Sequence, residues 1–430
     1  MPKLSLNASK KTKQTAAGEI PVDWECAKLE RLIDKLEAGV SVSGSDRPAA
    51  RNEQGVLKVS AVSDGRFLPD ENKAIETSEI LRARLRPRVG AILVSRSNSP
   101  ELVGESALIK ETPGNLFLPD KLWQVRLLKN ANASEEWLSQ VLRLPTIRLE
   151  MRNRASGTSQ SMKNISKSAF LGIHVALPPL PEQRKIADIL TTWDEALEKL
   201  DALIAAKDRR KKALMLQLLT GRKRVAGATG EWRTTTLAQV LEPTPRPTPK
   251  PSKPFLAAGI RSHGRGVFLK PDFIPADIAL DELYEIKSGD LIVNITFAWE
   301  GAAAIVSDEA DGALVSHRFP TFSFRAGKAS RAFFRHYIRT KRFVFDCGLA
   351  SPGGAGRNRV LSKTAFLKIG LMLPPIEEQE AIGEILDTCD AELTLLRRQR
   401  DALDLQKRGL MQRLLTGKIR VAVDEPVASP

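Results

Sequence analysis

The residue types that could carry chemistry are scattered through this chain. Asp308-Glu309-Ala310-Asp311 has the letters of a helicase motif. A nucleotide-driven enzyme also needs a G-x-x-x-x-G-K-[ST] loop, whose amides cradle phosphates and whose hydroxyl reaches magnesium. Gly417-Lys418 is followed instead by Ile419, so the acidic run is expected as a surface turn. Asn294-Ile295-Thr296-Phe297 approaches the Asn-Pro-Pro-Phe/Tyr motif of adenine methyltransferases. Both prolines are missing, no Gly-rich cofactor loop accompanies it, and the segment is expected as a strand. His174, His263, His317 and His336 lie far from one another and from Cys26, Cys347 and Cys389. No zinc spacing results, so neither a catalytic residue nor a metal ligand is assigned. His174 sits in an apolar run and is expected to be packed.

What remains is a set of basic and polar runs: Arg96, Ser97 and Asn98; Arg152, Arg154 and Gln160; Arg261, His263 and Arg265; Arg357, Asn358 and Arg359. Arginine pairs with guanine edges, and Asn or Gln with adenine. The competing reading of each is a solvated loop. Lys plus Arg exceed Asp plus Glu by 66 − 51 = 15, and the pI is near 9.8. That excess suits a polyanionic partner. An apolar fraction of 42% supports real cores. Three dispersed cysteines fit a reducing cytoplasm rather than a disulfide framework. No run approaches the 18 apolar residues or so of a transmembrane helix, and Met1 to Ala17 lacks the apolar core of a secretory signal.

The elements that must position these residues are legible through a repeat. Leu177 to Val225 returns as Leu373 to Val421, an offset of 373 − 177 = 196, without gaps and with about half the positions identical. Each copy opens on a Pro pair, which suits a helix entrance. Each continues with a first-turn acid, Glu182 or Glu378, and stops at a glycine, Gly221 or Gly417. Apolar positions step by threes and fours, the coiled-coil period. The first seam is Ile186, Leu190, Trp193, Leu197, Leu200, Ile204, Leu214 and Leu218, interrupted by Lys207 and Lys211. The second is Ile382, Leu386, Cys389, Leu393, Leu396, Leu403, Leu410 and Leu414, interrupted by Arg400 and Lys407. Each helix would span roughly 55 Å at about 1.5 Å per residue. Two matching seams in one chain are natural partners, and a pseudo-two-fold relation makes them antiparallel.

The expected organisation is a flexible lead over 1–17, a first globular domain over 18–176 and a long helix over 177–221. A second globular domain over 222–372, a second long helix over 373–417 and a tail over 418–430 follow. The first globular part begins with a short helical pattern over 27–38. Strands are expected at 56–59, 91–94, 106–109 and 122–128, then a helix over 135–142. The second part repeats the plan loosely, with a Pro-rich loop at 243–254, a strand at 291–293 and a helical pattern over 329–342. The fold class is α+β: two mixed domains separated by an intramolecular antiparallel coiled coil. The helices repeat closely while the globular parts diverge, as in a fixed spacer carrying unlike readers.

The chain resembles the specificity subunit of a type I restriction-modification system. The resemblance rests on the paired Leu-Pro-Pro-x-x-Glu-Gln openings at 177 and 373 and the paired Leu-Leu-Thr-Gly closings at 218 and 414. Gly230-Glu231-Trp232 and the run from Gly90 to Asn98 add to it. It implies two target-recognition domains, each reading half of a split, asymmetric site on double-stranded DNA. The helices set the gap and dock two methyltransferase subunits. The resemblance places S-adenosylmethionine in those partners, and ATP and magnesium in a restriction and translocase subunit, with no cofactor here. It implies a non-catalytic, cytoplasmic chain of bacterial or archaeal origin. The rival readings are a self-sufficient DNA methyltransferase or nuclease with fused recognition domains, and a coiled-coil adaptor that binds no DNA.

Overall fold

The structure is a computed structural model that describes residues 6–8, 11–157, 161–354 and 359–422. It divides into two units. The first is Met1–Lys199 with Arg400–Pro430, and the second is Leu200–Gln399. Two long helices, Leu180–Leu218 and Ile376–Leu415, each contribute one half to each unit.

In the first unit an antiparallel sheet runs in the order Ser106–Leu108, Ile92–Ser95, Leu122–Leu127, Ile33–Ala38. Ile92 to Val94 are buried on both faces, which is why that run reads as continuously apolar. Helix Glu135–Val141 is started by Ser134, whose hydroxyl accepts the Trp137 N–H. Helix Pro145–Arg154 opens on the proline that suits a first turn. The core gathers Trp24, Trp123, Trp137 and Phe170 with Ile186 and Leu190 of the first long helix and Met411 and Leu414 of the second.

In the second unit the matching sheet is Leu241–Pro243, Thr321–Phe324, Leu291–Val293, Ala303–Ile305. A five-stranded sheet stands beside it: Pro247–Pro249, Glu282–Glu285, Leu314–Val315, Phe255–Ile260, Val267–Phe273. Phe322, Phe333, Phe334, Phe343 and Phe366 pack on Leu218, Ile382 and Leu386.

The repeated motifs are cross-ties. Gln183 donates to the carbonyls of Asn132 and Pro178, at 2.7 and 2.8 Å, and accepts the Ser134 N–H. Gln379 repeats this with Lys328, Pro374 and Ser330. Glu182 accepts two bonds of 2.7 Å from Arg420 and one of 3.0 Å from Trp24 Nε1. Glu378 accepts from Arg224 at 2.7 and 2.9 Å. Within the first unit, then, Glu182 meets Arg420 and Asp194 meets Lys407. Within the second, Lys211 meets Asp390 and Arg224 meets Glu378. Numbers rise on one helix as they fall on the other, so the helices pair antiparallel in each unit. Gly417 has a φ of +71°, and a Cβ there would meet Pro21 at 2.4 Å, so only glycine ends this helix.

Eight seam positions are buried: Ile186, Leu190, Leu197, Leu218, Ile382, Leu386, Leu393 and Leu414. Trp193, Leu200, Ile204, Leu214, Cys389, Leu396, Leu403 and Leu410 are half-buried, because a two-helix contact leaves its flanks open. Lys211 and Lys407 do not break the seam. They are 8% and 4% exposed and lie inside it on aspartate partners.

Four further expectations change. The 1–17 lead contains strand Thr12–Thr15, paired with Gly18–Pro21, and strand Leu6–Ala8, paired with Ile419–Val421. Ile419 and Val421 bury their side chains in the first core, which draws the tail into the unit. The first unit is accordingly discontinuous, since antiparallel pairing returns the chain's end to it. The helical pattern at 27–38 is strand Glu25–Lys28, a tight turn and strand Ile33–Ala38. A bulge opposite Arg126 and Leu127 reproduces a three-residue apolar spacing. The helix over 329–342 is two, Arg331–Tyr337 and Lys341–Leu349, the second capped by Thr340.

Candidate nucleic-acid interface

Both units carry the same frame at the end of their central strand. Arg96 donates its N–H to Lys121 and accepts the Ile165 N–H. Ile295 does the same with Arg318 and Leu361. Counting six residues on from the equivalent Ile92 and Leu291 brings Asn98 level with Phe297. The frame is one, and the side chains it presents are different. Asn294-Ile295-Thr296-Phe297 is a turn beyond strand Leu291–Val293, not the strand expected; Asn294 Oδ1 accepts the Thr296 N–H and ends the pairing.

In the second unit the hairpin turn docks onto this loop. The His263 N–H donates to Glu300 O at 2.8 Å and Gly264 N–H to Gly301 O at 3.0 Å. Here His263 adopts a φ of +61°, a left-handed conformation uncommon for a side-chain-bearing residue. A cleft of about 610 Å³ results, lined by His263, Trp299, Arg339, Lys341, Phe345 and Arg359 among others. The Arg359 guanidinium lies 5.2 Å from the Trp299 ring and donates to Gly348 O at 3.0 Å. That stacking and bonding fix the cation in place without neutralising it. Lys341 has no carboxylate partner among the described residues, and Arg339 lies 3.6 Å from Asp390. The structure thus brings together two residues named from sequence, His263 and Arg359, with three that sequence reasoning passed over. Trp299 carried no local signal; Arg339 and Lys341 stood within an expected helix.

The other candidates fare unequally. Arg261 and Arg265 are exposed on the hairpin turn, with Arg261 5.3 Å from the Phe268 ring. Arg152 is exposed at the end of its helix. Arg96 is half-buried, and its Nε is sealed without a partner. Ser97 is 3% exposed in a short strand paired with Asn164. Asn98 spends its amide on Ser95 and Ser99, and Arg154 spends its guanidinium on Glu150 and Ala169 O. These last three hold structure. Gln160, Arg357 and Asn358 lie outside the described residues.

Electrostatics at the seam are strongly tuned. Burial opposes ionisation of Asp194, yet the Arg143 guanidinium and the Lys407 ammonium overcome it and hold the carboxyl down at about 2. Burial pushes the His336 imidazole below its usual value, against its 2.8 Å bond to Asp387. Asp194 ties the two long helices to each other and to Arg143 of its own unit, and His336 ties its short helix to the second long helix.

A duplicated frame bearing unlike polar and cationic loops, built on paired long helices, is the architecture of a DNA-specificity protein. The chain matches the family described as the type I restriction modification DNA specificity domain over residues 69–206 and again over 231–404, and it belongs to that family. It is a specificity subunit, the non-catalytic component of a type I restriction-modification system. It is 24% identical over 436 residues to the type I restriction enzyme MjaVIII specificity subunit of Methanocaldococcus jannaschii, covering 94% of each chain. It is 29% identical over 201 residues to the EcoEI specificity subunit of Escherichia coli, covering 46% of this chain and 33% of that one. In fold it is similar to the S subunit crystal structure from M. genitalium, with a TM-score of 0.57 at 14% identity, over 95% of this chain and 99% of that chain. Among the described residues no helix is long and apolar enough to cross a membrane.

Proposed function

We propose that this chain reads a split, asymmetric DNA site, one half with each lobe, as the sequence-recognising subunit of a cytoplasmic type I restriction-modification complex. The observation that carries this is the shared strand-and-loop frame, which brings Arg96 to the loop of one unit and in the other supports the cleft that holds Trp299, Lys341 and Arg359. One frame holding two unlike surfaces reads two unlike sequences. The excess positive charge supplies grip on phosphates, and a few side chains at base edges supply specificity. In the second lobe Lys341, Arg359, Arg261, Arg265 and His263 are the groups with this role. In the first lobe Arg96 and Arg152 have it.

The long helices set the spacing between half-sites and dock two methyltransferase subunits. Those partners bring S-adenosylmethionine, and the restriction subunit brings ATP and magnesium. This chain supplies the address and no chemistry.

The test is reconstitution. The full chain with its methyltransferase subunits should methylate adenine at one split site, and Arg359→Ala with Lys341→Ala should weaken recognition of one half only. Methyl transfer by the chain alone would favour a self-sufficient enzyme. Salt-insensitive or absent DNA binding by the complex would favour an adaptor.

A further inference from the structure

The second unit holds a pocket of about 370 Å³ that none of these roles uses. It lies in the five-stranded sheet, and Phe255, Phe268, Phe273, Phe297 and Phe319 form its walls. Phe255 and Phe273 tilt against each other with centroids 5.5 Å apart. Gly259 keeps Phe268 in place, since a Cβ there would meet the ring at 2.5 Å. The wall also includes Asn294, whose Oδ1 is taken by the Thr296 N–H, leaving its amide N–H₂ without a partner among the described residues. Lys270 Nζ stands at the rim, 5.7 Å from both the Phe268 and Phe273 rings, and Arg261 stands 5.3 Å from Phe268. Neither cation has a carboxylate partner among the described residues.

Aromatic walls, one free amide donor and an un-neutralised cationic rim define a ligand: a flat π-system attached to an anion. A nucleotide has that chemistry, because every base offers a face for stacking and carries a phosphate. The volume falls at the low end of the roughly 300–1,000 Å³ of ligand pockets, room for a single base but not for a duplex. The pocket also belongs to what differs between the lobes. By strand register the positions equivalent to Phe297 and Phe319 hold Asn98 and Leu122 in the first unit. A seat for a partner protein bound by both lobes would be kept in both. A feature of one lobe alone belongs with the reading of one half-site.

We propose that this pocket receives one base turned out of the duplex by the second lobe, stacked among the phenylalanines, with its phosphate at Lys270 and Arg261. The proposal rests on the DNA-reading role of that lobe.

The full-length chain is titrated with a paired duplex and with the same duplex carrying one unpaired 2-aminopurine. An unpaired base has already lost the pairing that eversion must break, so the second duplex should bind about 10-fold tighter. The bound 2-aminopurine should be shielded from acrylamide quenching. Phe297→Ala with Phe319→Ala should erase both effects, so that the paired duplex and the 2-aminopurine duplex bind equally at low salt. Phe297→Leu, which keeps bulk but removes the π face, should reduce the preference while the chain stays folded. Equal binding of the two duplexes, or a preference that survives the double substitution, overturns the pocket assignment alone. Failure to bind the paired duplex at low salt counts instead against DNA reading itself, and the pocket assignment falls with it.

Discussion

Replacing Asp194 by Asn should cost the first unit several times what the equivalent change at Asp390 costs the second. Asp194 accepts from Arg143 at 3.0 and 3.2 Å and from Gln140 at 3.1 Å, and it pairs with Lys407. The side chains of Asp194 and Lys407 are 16% and 5% exposed. Neutralising the aspartate strands a buried ammonium, a loss of about 3 kcal/mol. An independent figure follows from its acidity. A carboxyl held at about 2 rather than 3.8 contributes roughly 2 kcal/mol at neutral pH. Asp390 is 39% exposed beside Lys211, so its loss should cost about 1 kcal/mol. Urea unfolding of the full chain reads the difference, and hydrogen exchange over 186–199 and 403–415 locates it. Adding Lys407→Met to Asp194→Asn should restore most of the loss, because an apolar side chain needs no counter-charge. The folded state binds its proton on Asp194 more weakly than the unfolded state does. The contribution is therefore whole above about pH 4 and drains as pH falls through about 2, where wild type and Asp194→Asn should converge. Equal losses at Asp194 and Asp390, or no rescue by Lys407→Met, would refute the claim that burial sets the cost.

Three further outcomes are expected. His336 holds its proton less tightly folded than unfolded, so its neutral form favours folding at high pH and stability falls as pH drops below 6.5; His336→Gln, matching Gln140 at the equivalent position, should flatten stability between pH 7 and 5. In the assembled complex, Lys341→Ala and Arg359→Ala should each lower the slope of log affinity against log salt by about 0.9, with the larger affinity loss at Arg359 because its stack on Trp299 goes too; unchanged slopes would remove the cleft from the interface. Inserting seven residues after Lys199 and seven after Gln399 adds about 10 Å of helix in seam register, or about 3 base pairs. Methylation mapping should show the half-sites that much further apart, and an unchanged gap in an active complex would end the spacer idea.

The repeat, the seams and the class of the protein were legible because they are local or self-referential. Apolar steps of three and four mark a helix face, and a constant offset of 196 needs no partner to be seen. The reader residues were legible only as composition. Ser97, Asn98 and Arg154 have the right chemistry, but burial in a strand, a turn and a neighbouring acid take it up, and a sequence does not say which polar group is already buried or bonded. The strand at 33–38 misled for a related reason: Asp34 bulges out of the ladder opposite Arg126 and Leu127, and that pairing with a distant strand sets the spacing of its apolar residues.

By itself the sequence determined that two similar helices end in glycine, carry matching seams and join unlike globular parts. Tertiary structure alone decided that Lys211 and Lys407 belong inside the seam, since their aspartates lie 390 − 211 = 179 and 407 − 194 = 213 residues away. It also decided that the chain's end completes the first unit, and that Trp299, Arg359 and His263 share a cleft. Periodicity is written in neighbours three or four positions apart. Which charge is neutralised, and which is left for a ligand, is settled by neighbours that only the fold brings together.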